Sequence, residues 1–271
     1  MLGKILAAVL AVAVPAGSLS AKAPTQESAL EVSRAAIGRQ VGDHAFTDSG
    51  GKTLRLSDFR GKPLVISFVY TSCDHVCPQI TQTLARAVDE AAGLMGRDAF
   101  SVVTVGFDTR MDSEVAMRAF AKANGLGNVS NWAFLSGELP SVIGLAEDVG
   151  FQFWGSSQGF DHLAQTTLLD REGRVANQVY GNNFPSYQLI DPLKDLVSGA
   201  LSGSVRLSAL LERVRLFCTV YDPRTERYRV DYSLYIEGAV GFLSLIAVGW
   251  LLVANWRRLA PKTQREEDMQ P

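Results

Sequence analysis

Two cysteines with three residues between them, Cys73 and Cys77, are the most concentrated chemistry in this 271-residue chain. They stand in Tyr70-Thr71-Ser72-Cys73-Asp74-His75-Val76-Cys77-Pro78, directly after an apolar run. Such a pair serves as a structural disulfide, a redox-active dithiol or half of a metal site. Soft thiolates select Cu(I), and one added imidazole makes a Cys2His set that also holds Cu(II). Three histidines are available, His44, His75 and His162. His44 falls in an early hairpin region and reads as a surface or hairpin residue. His75 lies between the cysteines, where its ring points away from a site that both sulfurs share. His162 falls on a loop just before a strand-like segment; opposite two cysteines, it is the best third ligand in the chain. The remaining cysteine, Cys218, is an odd thiol for an oxidising compartment. It reads either as a relay thiol or, more simply, as a small apolar residue.

These residues need elements to position them. Residues 64–70 are nearly continuous in apolar side chains, as in a strand buried on both faces. Ahead of them, Asp48-Ser49-Gly50-Gly51 supplies the turn of a hairpin. From Pro78 onward, Ile80, Leu84, Val88, Ala91 and Met95 recur at helical spacing, with Pro78 in the first turn. Cys77 then sits at a helix N-terminus, where the dipole and free N–H groups favour a thiolate, and Cys73 sits on the loop that feeds it. Residues 101–107 read as a second buried strand. Ser113 caps the helix that carries Val115, Met117 and Phe120, with Glu114 in its first turn. A strand over 132–135, a helix over 140–150, a hairpin over 166–180 turning at Arg171-Glu172-Gly173, and a helix over 185–201 follow. Strands alternating with helices give an α/β layer architecture. With a dithiol between the first long strand and its helix, the order is that of a thioredoxin-like fold with an N-terminal β-hairpin extension.

Thiol reductases of that fold separate their cysteines by two residues and place a cis-proline before the strand that faces the sulfurs. Here the spacer is three residues, and His162-Leu163-Ala164-Gln165-Thr166 contains no proline. The reductase feature is missing where a potential metal ligand stands. A peroxidase is excluded because no Pro-x-x-x-Thr/Ser-x-x-Cys arrangement surrounds Cys73. No phosphate loop, serine-hydrolase elbow or zinc-protease motif is present.

The two ends place the chain outside the cytosol. Lys4, the apolar residues 5–17 and the small residues after them read as a signal peptide over 1–20, cleaved near Ser20 or kept as an anchor. Residues 238–254 carry no charge and approach the length of a membrane-spanning helix, with Tyr235, Trp250 and Trp256 as interfacial anchors. Arg257, Arg258, Lys262 and Arg265 follow, so the positive-inside rule puts the tail in the cytoplasm. The expected organisation is a signal peptide over 1–20, a thioredoxin-like copper-binding domain over 35–202 and a juxtamembrane linker over 203–235. A transmembrane helix over 236–256 and a cytoplasmic tail over 257–271 complete it. The expected location is the bacterial inner membrane, with the domain in the periplasm. A net charge of −2 makes no electrostatic case for nucleic acid.

Three stretches resemble the SCO (SenC) family of copper-binding, membrane-anchored thioredoxin-like proteins: residues 73–78 (CDHVCP), residues 105–114 (VGFDTRMDSE) and Asp161-His162. The resemblance implies Cys73, Cys77 and His162 as copper ligands, and Asp161 as the residue that orients the imidazole. It implies a copper chaperone that helps assemble the copper centre in subunit II of cytochrome c oxidase, or serves another membrane cuproenzyme, and that depends on a thiol reductant. Thr109 and Gln79 depart from the commoner family pattern, as does the anchor at the C-terminal end. These departures leave the ligand set intact and bear on the delivery partner. The alternative is a thiol–disulfide oxidoreductase in which Cys73 and Cys77 exchange electrons with cysteines of an exported cuproprotein. A sensor ranks last, because residues 257–271 are too short for an output domain.

Overall fold

The computed structural model describes residues 24–157, 159–199, 219–222, 227–230 and 233–259. The expected signal peptide, Cys218 and most of the expected tail lie outside them. In chain order the elements are α1 (Gln26–Ala35), β1 (Ala45–Asp48), β2 (Thr53–Arg55), β3 (Leu64–Val69), α2 (Val76–Met95), β4 (Ser101–Gly106), α3 (Glu114–Ala123) and β5 (Trp132–Ser136). There follow α4 (Leu139–Val149), β6 (Phe153–Ser156), β7 (Gly159–His162), β8 (Gln165–Leu169), β9 (Val175–Tyr180) and α5 (Tyr187–Ser198). Last come β10 (Thr219–Asp222), β11 (Arg227–Val230) and α6 (Ser233–Leu259).

Every residue of β3 and of β4 is buried, because their apolar runs require cover on both faces. They pair in parallel, β5 joins β4 in parallel, and β8 flanks β3 in the antiparallel sense. The resulting seven-stranded sheet has the order β2-β1-β5-β4-β3-β8-β9, so the expected N-terminal hairpin extends one edge. Its turn forms as the residue types require: Asp48 Oδ1 accepts from Gly50 N at 2.8 Å and Lys52 N at 2.9 Å, and Gly51 takes φ of 86°. Helix α2 buries Ile80, Leu84, Val88 and Ala91 on one stripe and packs beside α5, while α3 covers β5. Ser113 caps α3 as its sequence suggests, its hydroxyl accepting from Ala116 N.

Three elements were not anticipated. Helix α1 opens with a reciprocal Thr25–Ser28 capping box but buries only Ala29 and Ser33, too faint a stripe to read. It is held by the Ser33 hydroxyl, 3.0 Å from Tyr180 OH. It also approaches Gly150 (φ +69°), where a Cβ would lie 2.7 Å from the Val32 carbonyl oxygen. The β6–β7 hairpin corrects the reading of His162 as a loop residue: it is the last residue of β7, opposite Phe153. Strands of four residues are too short for a two-residue period to declare itself. Within the expected linker, β10 and β11 form a second antiparallel hairpin. The backbone of α6 runs for 27 residues. Its side chains are described at Ile236 and from Val240 to Asn255. Among the described residues no helix is long and apolar enough to cross a membrane.

One polar ladder crosses the buried centre of the sheet. Trp132 Nε1 donates to Thr104 Oγ1 at 2.9 Å, and Thr104 Oγ1 lies 2.9 Å from Ser67 Oγ. Thr104→Val keeps the shape and strands the indole N–H in a dry interior. It is expected to cost about 1–3 kcal/mol of stability, read by chemical denaturation of the purified chain; a loss under about 0.5 kcal/mol would show that the indole finds another acceptor.

Candidate functional site

The parallel register sets Val69 opposite Gly106, so the segments leaving β3 and β4 emerge side by side at one edge of the sheet. This is the edge at which open α/β sheets bind ligands. After β3 the chain turns tightly, with Cys73 N donating to Tyr70 O at 3.1 Å, and enters α2 at Val76. His75 is the N-cap residue but offers no capping side chain. The free N–H of Cys77 points instead to Cys73 Sγ at 3.3 Å. The sulfur of Cys73 thus does the work of a cap, accepting from one of the amides that a helix start leaves unpaired.

That arrangement makes the two thiols unequal. Both are free, Cys73 half-buried and Cys77 fully buried. Burial pushes the Cys73 thiol up, but donors from the Cys77 N–H, the Cys77 thiol, the Tyr70 hydroxyl and the His75 N–H outweigh it and bring its pKa below the usual value. Burial drives the Cys77 pKa far upward, and the nearby charges of Cys73 and Asp112 add to the rise. Tyr70 is pushed up to about 12, first by burial and then by its contact with Cys73. Cys73 is therefore the more acidic thiol of the pair and Cys77 the less acidic.

His162 reaches the same place from β7. Cys73, Tyr70, Val76, Asp161, His162 and Asn182 line one cleft of about 380 Å³. The imidazole sits among aromatic rings, with centroids 5.5 Å from Phe107, 5.5 Å from Phe151 and 6.4 Å from Tyr70. Nδ1 lies 3.1 Å from the Leu163 carbonyl oxygen, which assigns the proton to Nδ1 and leaves Nε2 as the lone-pair nitrogen. Burial lowers the His162 pKa, opposed by the Leu163 carbonyl and by the charge of Asp161. The hydrogen bond that orients the ring comes from Leu163, whereas Asp161 is exposed and acts through its charge.

The other expectations separate cleanly. His75 is exposed and outside the cleft lining. His44 is far from this chemistry in role: its Nε2 lies 2.7 Å from Asp148 Oδ2, tying the entry to β1 onto α4. Cys73, Cys77 and His162 converge on one region, yet among the described residues no three His, Cys, Asp or Glu side chains stand close enough to hold a metal ion. Closing a three-donor set requires the imidazole and the sulfurs to draw together. Two participants escaped the sequence. Tyr70 read as the end of an apolar strand, and Asp112 stood within residues 105–114 with no role assigned to it; both act through contacts between segments distant in the chain.

A family model described as SCO1/SenC matches residues 34–198. The SCO1 protein homolog of Bacillus subtilis (strain 168) is 27% identical over 167 residues, which cover 58% of this chain and 83% of the relative. Among solved structures, a putative electron transfer protein from Aquifex aeolicus VF5 is 27% identical with a TM-score of 0.55, covering 60% of this chain and 95% of that one. A SCO1/SenC family lipoprotein from Bacillus anthracis str. Ames is 26% identical with a TM-score of 0.53, over 59% of this chain and 96% of that one.

The inequality of the thiols has a direct readout. Iodoacetamide at neutral pH is expected to alkylate Cys73 of the reduced chain about tenfold faster than Cys77, resolved by peptide mass mapping. Labelling of Cys77 first, or of both at one rate, would contradict the assignment.

Proposed function

The chain belongs to the SCO1/SenC family, and from that premise we propose that it is a membrane-tethered copper chaperone that helps assemble the copper centre of cytochrome c oxidase. The observation that carries this reading is a dithiol and an imidazole brought to one region: Cys73 and His162 line one cleft, the Cys77 N–H lies against Cys73 Sγ, and His162 Nε2 keeps its lone pair. Two sulfurs and one imidazole suit copper in either oxidation state. Yeast Sco1, which shares this fold, has been solved with copper bound. Copper is cargo here. Cys73, already the better thiolate, takes it first. Cys77 joins by giving up its proton, and His162 closes the set through Nε2. Because capture releases the Cys77 proton, affinity rises with pH. Delivery runs in reverse, by exchange of these ligands for those of subunit II of the oxidase or another membrane cuproenzyme, after a thiol reductant has kept the pair reduced.

The tether is α6. Residues 238–254 are uncharged, and Ile236, Phe242, Leu245, Trp250 and Leu252 are all exposed around the helix. A helix that is apolar on every side needs a non-aqueous surrounding. Arg257 and Arg258 mark the cytoplasmic end, which leaves the copper domain on the periplasmic side. Tethering raises the effective concentration of the carrier beside a membrane-bound acceptor.

The unequal thiols also favour a second reading, a thiol–disulfide oxidoreductase in which Cys73 attacks a target disulfide and Cys77 resolves the mixed disulfide. Anaerobic titration of the reduced, detergent-solubilised chain separates the two. One tight equivalent of Cu(I) is expected, weakened about 100-fold or more in Cys73→Ser and His162→Ala. Tight binding that survives His162→Ala would discard that ligand. No stoichiometric copper, together with rapid exchange against a protein disulfide, would leave the oxidoreductase.

The tether has its own check. The full chain is expected to stay in the membrane pellet after alkaline carbonate extraction, and a chain ending at residue 202 to be released. Release of the full chain would remove the span.

A further inference from the structure

Beneath the dithiol lies a carboxylate that the copper chemistry does not use. Asp112 is 2% exposed. It sits between β4 and α3, four residues after Asp108, and among the described residues no cation pairs with it; Arg110 reaches Asp108 instead. Burying a carboxylate without a counter-charge is costly unless hydrogen bonds replace its water. They do: Oδ1 accepts from both Thr71 N and Thr71 Oγ1 at 2.7 Å, and Oδ2 accepts from Asp108 N at 2.9 Å. The backbone makes room for this. At Gly106, a Cβ would fall 2.5 Å from the Asp112 Cβ and 2.8 Å from Met117 Sδ. A side chain there would force Asp112 or Met117 to shift.

Thr71 is two residues ahead of Cys73, in the turn closed by the Cys73 N–H to Tyr70 O bond. We propose that Asp112 is the positioning residue of the dithiol: its carboxylate clamps Thr71 to the segment after β4 and so holds Cys73 Sγ within reach of the Cys77 N–H. The inference rests on Cys73 and Cys77 being the working pair, under either reading of the function. One oxygen of Asp112 grips the cysteine loop, and the other grips its own segment. The dithiol loop is thereby fixed to the sheet edge from which both segments leave. Without the clamp the loop loses both Thr71 contacts to the carboxylate, and the sulfur–amide contact at the head of α2 loses that support. The reduced form is then less favoured relative to the disulfide.

The test uses the full chain in detergent with Thr71→Val, Thr71→Ser and Asp112→Asn. Each is equilibrated in glutathione buffers, where the dithiol and glutathione disulfide give the Cys73–Cys77 disulfide and two glutathione molecules. Melting temperature and Cu(I) affinity are measured in parallel. Thr71→Val and Asp112→Asn are expected to move the equilibrium about tenfold toward the disulfide, about 30 mV, and Thr71→Ser to match the unmodified protein. Their Cu(I) affinity is expected to fall about 10- to 100-fold. No shift, a shift the other way, or a Thr71→Ser variant as impaired as Thr71→Val would overturn the inference. If Asp112→Asn does not fold, Thr71→Val against Thr71→Ser decides. If the unmodified chain binds no copper but the redox shift is found, the chaperone reading falls and the clamp stands.

Discussion

The parallel pairing of β3 with β4 is the constraint on which the site depends. Both strands are buried along their whole length, so neither tolerates a register slip that would carry polar atoms into the sheet interior. With Val69 opposite Gly106, and Phe107 N donating back to Val69 O at 2.9 Å, the two strands end together. The cysteine loop and the Asp108–Asp112 segment then have to leave the sheet as neighbours. Thr71 and Asp112 meet because of this register, although 41 residues separate them. A parallel pair also requires a crossover, and α2 supplies it. The helix start that receives Cys77 is therefore a consequence of the same pairing.

Helix geometry then divides the labour between two chemically identical side chains. An α-helix leaves its first amides unpaired, and here Cys73 Sγ stands where a serine or aspartate oxygen usually caps. That contact stabilises the charged sulfur. Cys77 is the second residue of α2 and is buried in the core, where a charge is poorly solvated. The difference in acidity between the two thiols follows from their positions at the head of one helix. His162 is treated in the same manner. Aromatic neighbours deprive the ring of water, and a backbone carbonyl holds Nδ1–H, so the nitrogen left for a ligand is Nε2.

The β6–β7 hairpin is what carries that ring across. It pairs only with itself, outside the seven-stranded sheet, and it rests on the core through Phe153 and Phe160. Tyr70 contacts both sides of the cleft: its ring meets Phe160 and His162, and its hydroxyl lies 3.2 Å from the position a Cβ on Gly159 would occupy. The loop bearing the sulfurs and the hairpin bearing the imidazole thus share one tyrosine as their common wall. Among the described residues the three candidate donors share a region without forming a closed set.

Much of this was legible in the residues alone. Continuous apolar runs declared β3 and β4, helical spacing declared α2, and Asp48-Ser49-Gly50-Gly51 declared the first hairpin, because each signal is local and repeats within its own element. The identity of the thiols was equally plain, since few residue types perform that chemistry. Tertiary structure decided the rest. It decided that His162 ends a strand, that Leu163 rather than Asp161 orients its ring, and that Asp112 is a buried anchor for the cysteine loop. It also decided that α1 docks through small residues too sparse to form a readable stripe. Each of these depends on a partner far away in the chain, brought near only by the strand register. A sequence records what a residue is able to do, and the register of β3 on β4 records what it is placed beside.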